Sequence, residues 1–361
     1  MAFEANKNEL IEVYTLLKIL SDGRIYYGDE KGNNSEKYAN ISAVKRQEHN
    51  GERTYRVVGD NIEITGEETN ITIERKRIKE ITQALFALIK AGNEDCIIVD
   101  DEIEKLLDAM SIYNLEAKTN DKTDLHISLV GDENEYSGFI IRSRVGSLTS
   151  LLNGGRAANL KFEQSGVKFA TPTVSKINAT PEGENEVAER MMYIERLGGV
   201  LKYNDVADKV FRSNLMMIDL HFPRLLSEMV KTMHFDGVRK IGELTKIMEE
   251  VNPLKIKEEL ITKHLYYEHK VKQFLLALAL GMRAAKIYNG TESEIKGMLL
   301  LNSNGEVVCY HSSKRNMFEN FLINNTRLDK GSLEKDKYGF LERENGKYYL
   351  KLNVKVSLTK R

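Results

Sequence analysis

EAKTNDKTDLHISLV (residues 116–130), GDENEYS (131–137) and GFIIRSRVGSLTSLLNGGRAANLKFEQSGVK (138–168) form the stretch that decides the fold. An acidic approach enters an alternating apolar run that opens at Asp124. The chain then turns through polar residues and returns in a second apolar run that carries Arg142 and Arg144. Period-2 alternation bounded by turn residues predicts two neighbouring strands, followed by a loop rich in Gly, Asn and Arg. One strand supplies a carboxylate and the other a cation. Together they can hold a divalent metal ion beside a phosphate group.

Charge is segregated around the same stretch. Residues 93–136 hold thirteen Asp or Glu against three Lys, whereas residues 138–168 hold five Lys or Arg against one Glu. The whole chain carries a net charge of only −1, so any binding to a polyanion must rest on a local patch rather than on bulk charge. Its 361 residues, 41% hydrophobic and 30% charged, are those of a globular protein large enough for two domains. The division expected is an N-terminal region, 1–170, with its core centred on 113–168. A helical and then β-hairpin region, 185–361, follows it. The longest apolar run, 274–282, is too short to span a bilayer, and residues 1–14 lack the pattern of a signal peptide, so a cytoplasmic protein with no membrane association is expected. Cys96 and Cys309 each lie in an apolar run and are expected to be reduced core residues.

Working outward, residues 5–20 place Leu10, Val13, Leu16, Leu17 and Leu20 at helical spacing, with Asp22-Gly23 as the stop. Residues 24–74 alternate in short runs separated by Gly-Asp and Gly-Glu-Glu-Thr-Asn turns, which predicts strands. A helix over 75–90 closed by Gly92, and another opened by Asp100 and Asp101, come next. Beyond the central stretch, TPTVSKINATPEGENE carries two of the four prolines and reads as a boundary or surface excursion. Residues 185–287 read as mostly helical, ending in one long helix or two that start at Pro253. Asn304-Gly305 and Asn345-Gly346, each between apolar runs, predict two hairpins with a short helix between them. The fold class is α/β or α+β, with a mixed sheet flanked by helices.

Several chemistries are excluded. There is no phosphate-binding Gly-x-x-x-x-Gly-Lys loop, no dinucleotide fingerprint, no Gly-x-Ser-x-Gly elbow, and no His-x-x-x-His zinc pair. Asp124 remains as a strand-opening carboxylate preceded by Glu116, Lys118, Asp121 and Lys122. Such a group suits Mg²⁺, which takes hard oxygen ligands and keeps several waters. Arg144, just before GSLTSLLNGGRAANLK, and Arg156 within it are the candidates for bidentate contacts to guanine, with Asn153, Asn159 and Lys161 nearby for bases or phosphates.

These residues reach a known family. The order and spacing of segments 7–26, 117–130, 138–162, 266–282, 288–311 and 315–340 resemble the HpaII family of type II restriction endonucleases over nearly the whole chain. The resemblance implies a nuclease core of the PD-(D/E)XK type. It also implies Mg²⁺-dependent cutting of double-stranded DNA at a short G·C-rich palindrome like CCGG, within a restriction-modification system. The two-fold symmetry of such a site favours a homodimer. Carried over by position, Asp124 is the first metal ligand, Lys118, Asp121 and Lys122 match the polar run before it, and Glu9 and Glu12 match acidic positions of the first helix, where a supporting carboxylate is recruited. Glu12 and Glu116 are the further candidate metal ligands, and Lys118 and Lys122 are the candidates to take the place of a catalytic lysine.

The second strand departs from the pattern. The family is expected to read Gly-Phe-Ser-Ile-Lys-Ser with a catalytic lysine, whereas this chain reads Gly138-Phe139-Ile140-Ile141-Arg142-Ser143. Ile140 offers a metal no ligand. Arg142 keeps the positive charge but does not release a proton in the working range. The alternative expectation is therefore a DNA-binding protein on a nuclease fold whose cleavage is reduced or lost.

Overall fold

The structure is a computed structural model, and it describes residues 3–48, 50–116, 123–131, 135–290 and 294–360. Lys118, Asp121 and Lys122 lie outside the described residues. The chain forms two compact units, one of Met1–Thr149, Glu292–Phe321 and Thr359–Arg361, the other of Ser150–Thr291 and Leu322–Leu358. These bounds differ from a simple split at 170–185, because the chain leaves the first unit, builds most of the second, and comes back.

The first unit opens with β1 (Phe3–Ala5) and α1 (Lys7–Asp22). Asn6 caps α1 by accepting the Glu9 N–H at 3.0 Å, and the Glu9 carboxylate accepts the Asn6 N–H at 2.7 Å in return. Gly23, at φ +62°, ends the helix with its N–H on the carbonyls of Ile19 and Leu20. Leu10, Ile11, Val13, Leu16, Leu17 and Leu20 are wholly buried, as the apolar periodicity requires.

β2 (Arg24–Gly28), β3 (Asn34–Glu48), β4 (Gly51–Val58), β5 (Asn61–Gly66) and β6 (Thr69–Glu74) follow. After them come α2 (Arg75–Ala91), β7 (Ile97–Val99), α3 (Asp101–Ala109), β8 (Leu125–Leu129) and β9 (Ser137–Ser143). Asp100 caps α3 through two backbone N–H groups, as expected of an acidic helix start.

The second unit continues with β10 (Ser150–Asn153), β11 (Asn159–Ser165), α4 (Thr171–Asn178), α5 (Glu186–Arg196) and β12 (Val200–Val206). Helices α6 (Lys209–Ile218), α7 (Phe222–Asp236), α8 (Ile241–Val251), α9 (Glu258–Thr262) and α10 (Tyr266–Ala279) complete this passage. The chain then returns to the first unit as β13 (Ile295–Leu301) and β14 (Val307–His311). It runs through α11 (Arg315–Asn325) and ends with β15 (Thr326–Asp329), α12 (Leu333–Asp336), β16 (Leu341–Glu344), β17 (Lys347–Asn353) and β18 (Lys355–Leu358).

The large sheet has the order β2-β14-β13-β9-β8-β3-β4-β5-β6. β3 is 15 residues long. Its first half pairs with β2 (Tyr26↔Tyr38), and its second half pairs with both β4 and β8 (Val44↔Tyr55, Val44↔Ile127). Since β2 also pairs with β14, six of these strands close into a ring. β9 and β13 are parallel, with Ile141 beside Leu299. Parallel neighbours need a long crossover, and the passage through the second unit provides it.

Within the second unit, β12-β11-β17-β16 and β10-β18-β15 are separate antiparallel sheets. The Asn345-Gly346 hairpin is present with both residues at positive φ, 47° and 81°, the geometry of a tight I′ turn. Two expectations are corrected, and one that was open is decided. The polar connection contains α4, with Pro172 in its first turn and Val174 and Ile177 buried on one face. The region read as helical contains β12, whose Leu201 and Val206 are buried. Of the two arrangements expected after Pro253, one long helix or two, the chain forms two, α9 and α10, separated at Leu265 with φ 49°. Cys309 is buried, as expected of a core residue, but Cys96 is exposed. No helix among the described residues is long and apolar enough to cross a membrane.

Candidate active site

The two strands read first from the sequence are antiparallel neighbours, with Leu125 opposite Phe139 and His126 opposite Gly138. Asp124 stands just before β8. Its N–H donates to the Phe139 carbonyl at 2.8 Å, and its Oδ2 accepts the Ile141 N–H at 2.6 Å. A carboxylate bonded to the neighbouring strand has little freedom, and the next residue on that strand is Arg142. One arm of the Arg142 guanidinium donates to the Ile141 carbonyl at 2.6 Å.

Five charges meet here, each acting on Asp124 or on Arg142. Burial pushes the Asp124 carboxyl above its ordinary range, opposed by the Arg142 cation and the Ile141 N–H. Glu116 pushes it up further, and Arg46 on β3 draws it down. Burial lowers the pKa of Arg142, while the carboxylates of Asp124 and Glu12 favour its charged form. An arginine starts so far above neutrality that it stays a cation. The structure thus brings Asp124, Arg142, Glu116 and Glu12 into one electrostatic group. Within it Glu12 acts on Arg142, whereas Glu116 acts on Asp124. Glu9 has a different task, closing the α1 cap.

Among the described residues, no group of three or more His, Cys, Asp or Glu is arranged to hold a metal ion. The pair Asp124 and Glu116 nonetheless fits Mg²⁺, which is commonly held by one or two carboxylates while waters and phosphate oxygens fill the remaining positions. Two like charges, one of them half-buried, destabilise each other, and a divalent cation relieves that repulsion. Ile140, 2% exposed, adds no ligand.

The residues read as DNA contacts divide into two kinds. Arg144 is 6% exposed and donates to Asn302 Oδ1 at 3.1 Å and to the Lys31 carbonyl at 3.2 Å. Asn159 is 2% exposed. Its amide nitrogen donates to the Asp336 carbonyl at 2.8 Å, and its oxygen accepts from Asn353 at 2.8 Å. Both are built into the chain's own frame. Asn153 and Arg156 are exposed, and Arg156 makes a long bond of 3.4 Å to the Lys335 carbonyl. Lys161 is ion-paired with Glu344 and lies 4.0 Å from the Tyr349 ring centroid. Asp124 and Arg142 belong to the first unit, and residues 153–161 belong to the second.

The residue that sequence reading missed is Arg46. Nothing in SAVKRQE marks it, because its relevance depends on β3 lying beside β8, with Lys45 opposite His126. Lys118 and Lys122, read as catalytic candidates, lie outside the described residues.

Two comparisons with known proteins bear on this site. The family described as HpaII restriction endonuclease matches residues 6–358. The type II restriction enzyme HpaII of Haemophilus parainfluenzae is 31% identical over 359 residues, which is 98% of either chain. No solved structure matches the chain. The chain belongs to the HpaII restriction endonuclease family.

Proposed function

We propose that this member of the HpaII family, a type II restriction endonuclease, hydrolyses double-stranded DNA at a short G·C-rich palindrome resembling CCGG. The proposal includes a core of the PD-(D/E)XK type, a requirement for Mg²⁺, a cytoplasmic location within a restriction-modification system, and a homodimer matched to a palindromic site. The observation that carries it is the Asp124 carboxylate, bonded to the strand on which Arg142 comes next.

Each residue has a task in this reading. Asp124 and Glu116 hold the cation, with Asp124 fixed by the Ile141 N–H. Mg²⁺, when bound, supplies a Lewis acid that acidifies water and neutralises charge on the phosphate oxygens. Arg142 offers a permanent positive charge to the scissile phosphate and does not serve as a base. Glu12 adds a favourable charge interaction with that guanidinium. Lys118 and Lys122 are the candidates for proton transfer near Asp124. Asn153, Arg156 and Lys161 contact DNA, while Arg144 and Asn159 are taken up by bonds within the chain, Arg144 to Asn302 and Asn159 to the Asp336 carbonyl.

Digestion of plasmid DNA with Mg²⁺ present, removed by chelation and restored tests this reading. Wild type should cut only with the metal, and Asp124→Ala should not cut. Metal-dependent cutting that survives Asp124→Ala removes Asp124 from the site. A second reading, a DNA-binding protein that has lost cleavage, is favoured only by arginine at 142. A large gain of cleavage in Arg142→Lys would support it.

A further inference from the structure

Arg46 and Glu48 stand two residues apart near the end of β3, and so on the same face of that strand. They are 3% and 2% exposed and form an ion pair with each other. Their remaining hydrogen bonds converge on one short piece of backbone. Glu48 Oε2 accepts the N–H of Tyr113 at 3.2 Å and of Asn114 at 3.0 Å. Arg46 Nη2 donates to the carbonyls of Asn114 at 2.5 Å and Leu115 at 2.8 Å. The next residue is Glu116.

A buried ion pair is a weak source of stability, since desolvation offsets its attraction, and its better-attested use is to specify one arrangement. Here that arrangement is the backbone entering the acidic half of the site. β3 also lies directly beside β8, which brings the charge of Arg46 to the Asp124 carboxyl, and Glu116 acts on the same carboxyl. We propose that Arg46 and Glu48 are positioning residues of the nuclease site, a buried clamp on residues 113–115 that sets Glu116 beside Asp124. This rests on the reading of Asp124 and Glu116 as the pair that holds the cation. The planar fork of arginine is needed, because a single ammonium does not bond Glu48 and two consecutive carbonyls with the same geometry.

The test is calorimetric titration of Ca²⁺, as a probe of the oxygen site, into the protein bound to a duplex containing CCGG. Duplex affinity without divalent ion is measured in parallel. Arg46→Lys, Arg46→Gln and Glu48→Gln should weaken Ca²⁺ binding by about 10- to 100-fold, the usual effect of losing a group that orients a metal ligand. Their metal-free duplex affinity should be unchanged, and excess Mg²⁺ should restore cleavage in Glu48→Gln but not in Asp124→Ala. Ca²⁺ affinity that stays normal in these variants but falls in Glu116→Ala overturns the clamp, as does equal loss of duplex binding. Normal Ca²⁺ affinity in both Glu116→Ala and Asp124→Ala overturns instead the site reading beneath it. If the variants at 46 and 48 do not fold, amide exchange in metal-free wild type decides. Slow exchange at Tyr113 and Asn114 supports a preformed clamp, and exchange at the rate of an open loop overturns it.

Discussion

At the scale of single residues, Arg142 defines the chemistry that the site can perform. Its charge is held by Asp124 and Glu12 against the cost of burial, so it serves as a fixed cation beside a carboxylate. Removing a preorganised charge of this kind costs about 10²- to 10³-fold in rate. Arg142→Ala should therefore lose about that much single-turnover cleavage, while Arg142→Lys, which keeps the charge, should lose far less. A gain on lysine substitution would mean that a proton-transfer role is missing from the natural chain. His234 gives a second prediction, about stability. Burial, with a smaller contribution from the Lys330 charge, lowers its pKa from 6.5 to about 4, and neither ring nitrogen has a hydrogen-bond partner among the described residues. The folded protein therefore takes up this proton less readily than the unfolded chain. The stabilisation from the neutral ring is complete above pH 6.5 and is lost as pH falls toward 4, by about 3 kcal/mol at most. Denaturant unfolding at stepped pH should show this loss in wild type and a flatter dependence in His234→Leu.

At the scale of elements, what was legible in the sequence was what local chemistry determines. The start and end of α1 follow from Asn6, Glu9 and Gly23, and the β16–β17 hairpin follows from Asn345-Gly346, each within a few residues of the bonds they make. Gly346 has φ 81° and open space where a Cβ would lie, so Gly346→Ala isolates the backbone term. It should destabilise the protein by about 1 kcal/mol, measured by chemical denaturation, and no change would argue against the I′ turn. Asn6→Ala should cost a similar amount, about 1 kcal/mol, through the lost cap. Other elements were misread where tertiary context overrides local pattern. β12 looked helical because it lies among helices and shows its buried side only against β11. Whether one helix or two follows Pro253 was open, because the break at Leu265 carries no glycine or proline. Asp124 and Arg142 were legible as a pair because one hairpin joins them. The contribution of Arg46 was not, since it comes from a strand laid alongside from far earlier in the chain.

At the scale of the whole molecule, the feature least visible in the sequence is the pairing of β9 with β13, whose connection runs through the second unit. Leu299 on β13 is wholly buried in the core beneath α1. Leu299→Ala should cost about 2–5 kcal/mol, and equilibrium unfolding measures it. The net charge of −1 makes DNA binding depend on a few local cations, so affinity should fall as salt rises. Arg156→Ala should reduce the slope of that dependence by about one. Asp124 and its neighbours are proposed to form a metal-dependent, site-specific cutting centre. Mapping the ends of plasmid DNA digested with Mg²⁺ by wild type and by Asp124→Ala tests it most directly. Wild type should leave one defined set of ends within a single G·C-rich palindrome, and Asp124→Ala should leave the DNA intact while still binding it. Scattered ends from wild type, or the same defined ends produced by Asp124→Ala, would contradict the claim.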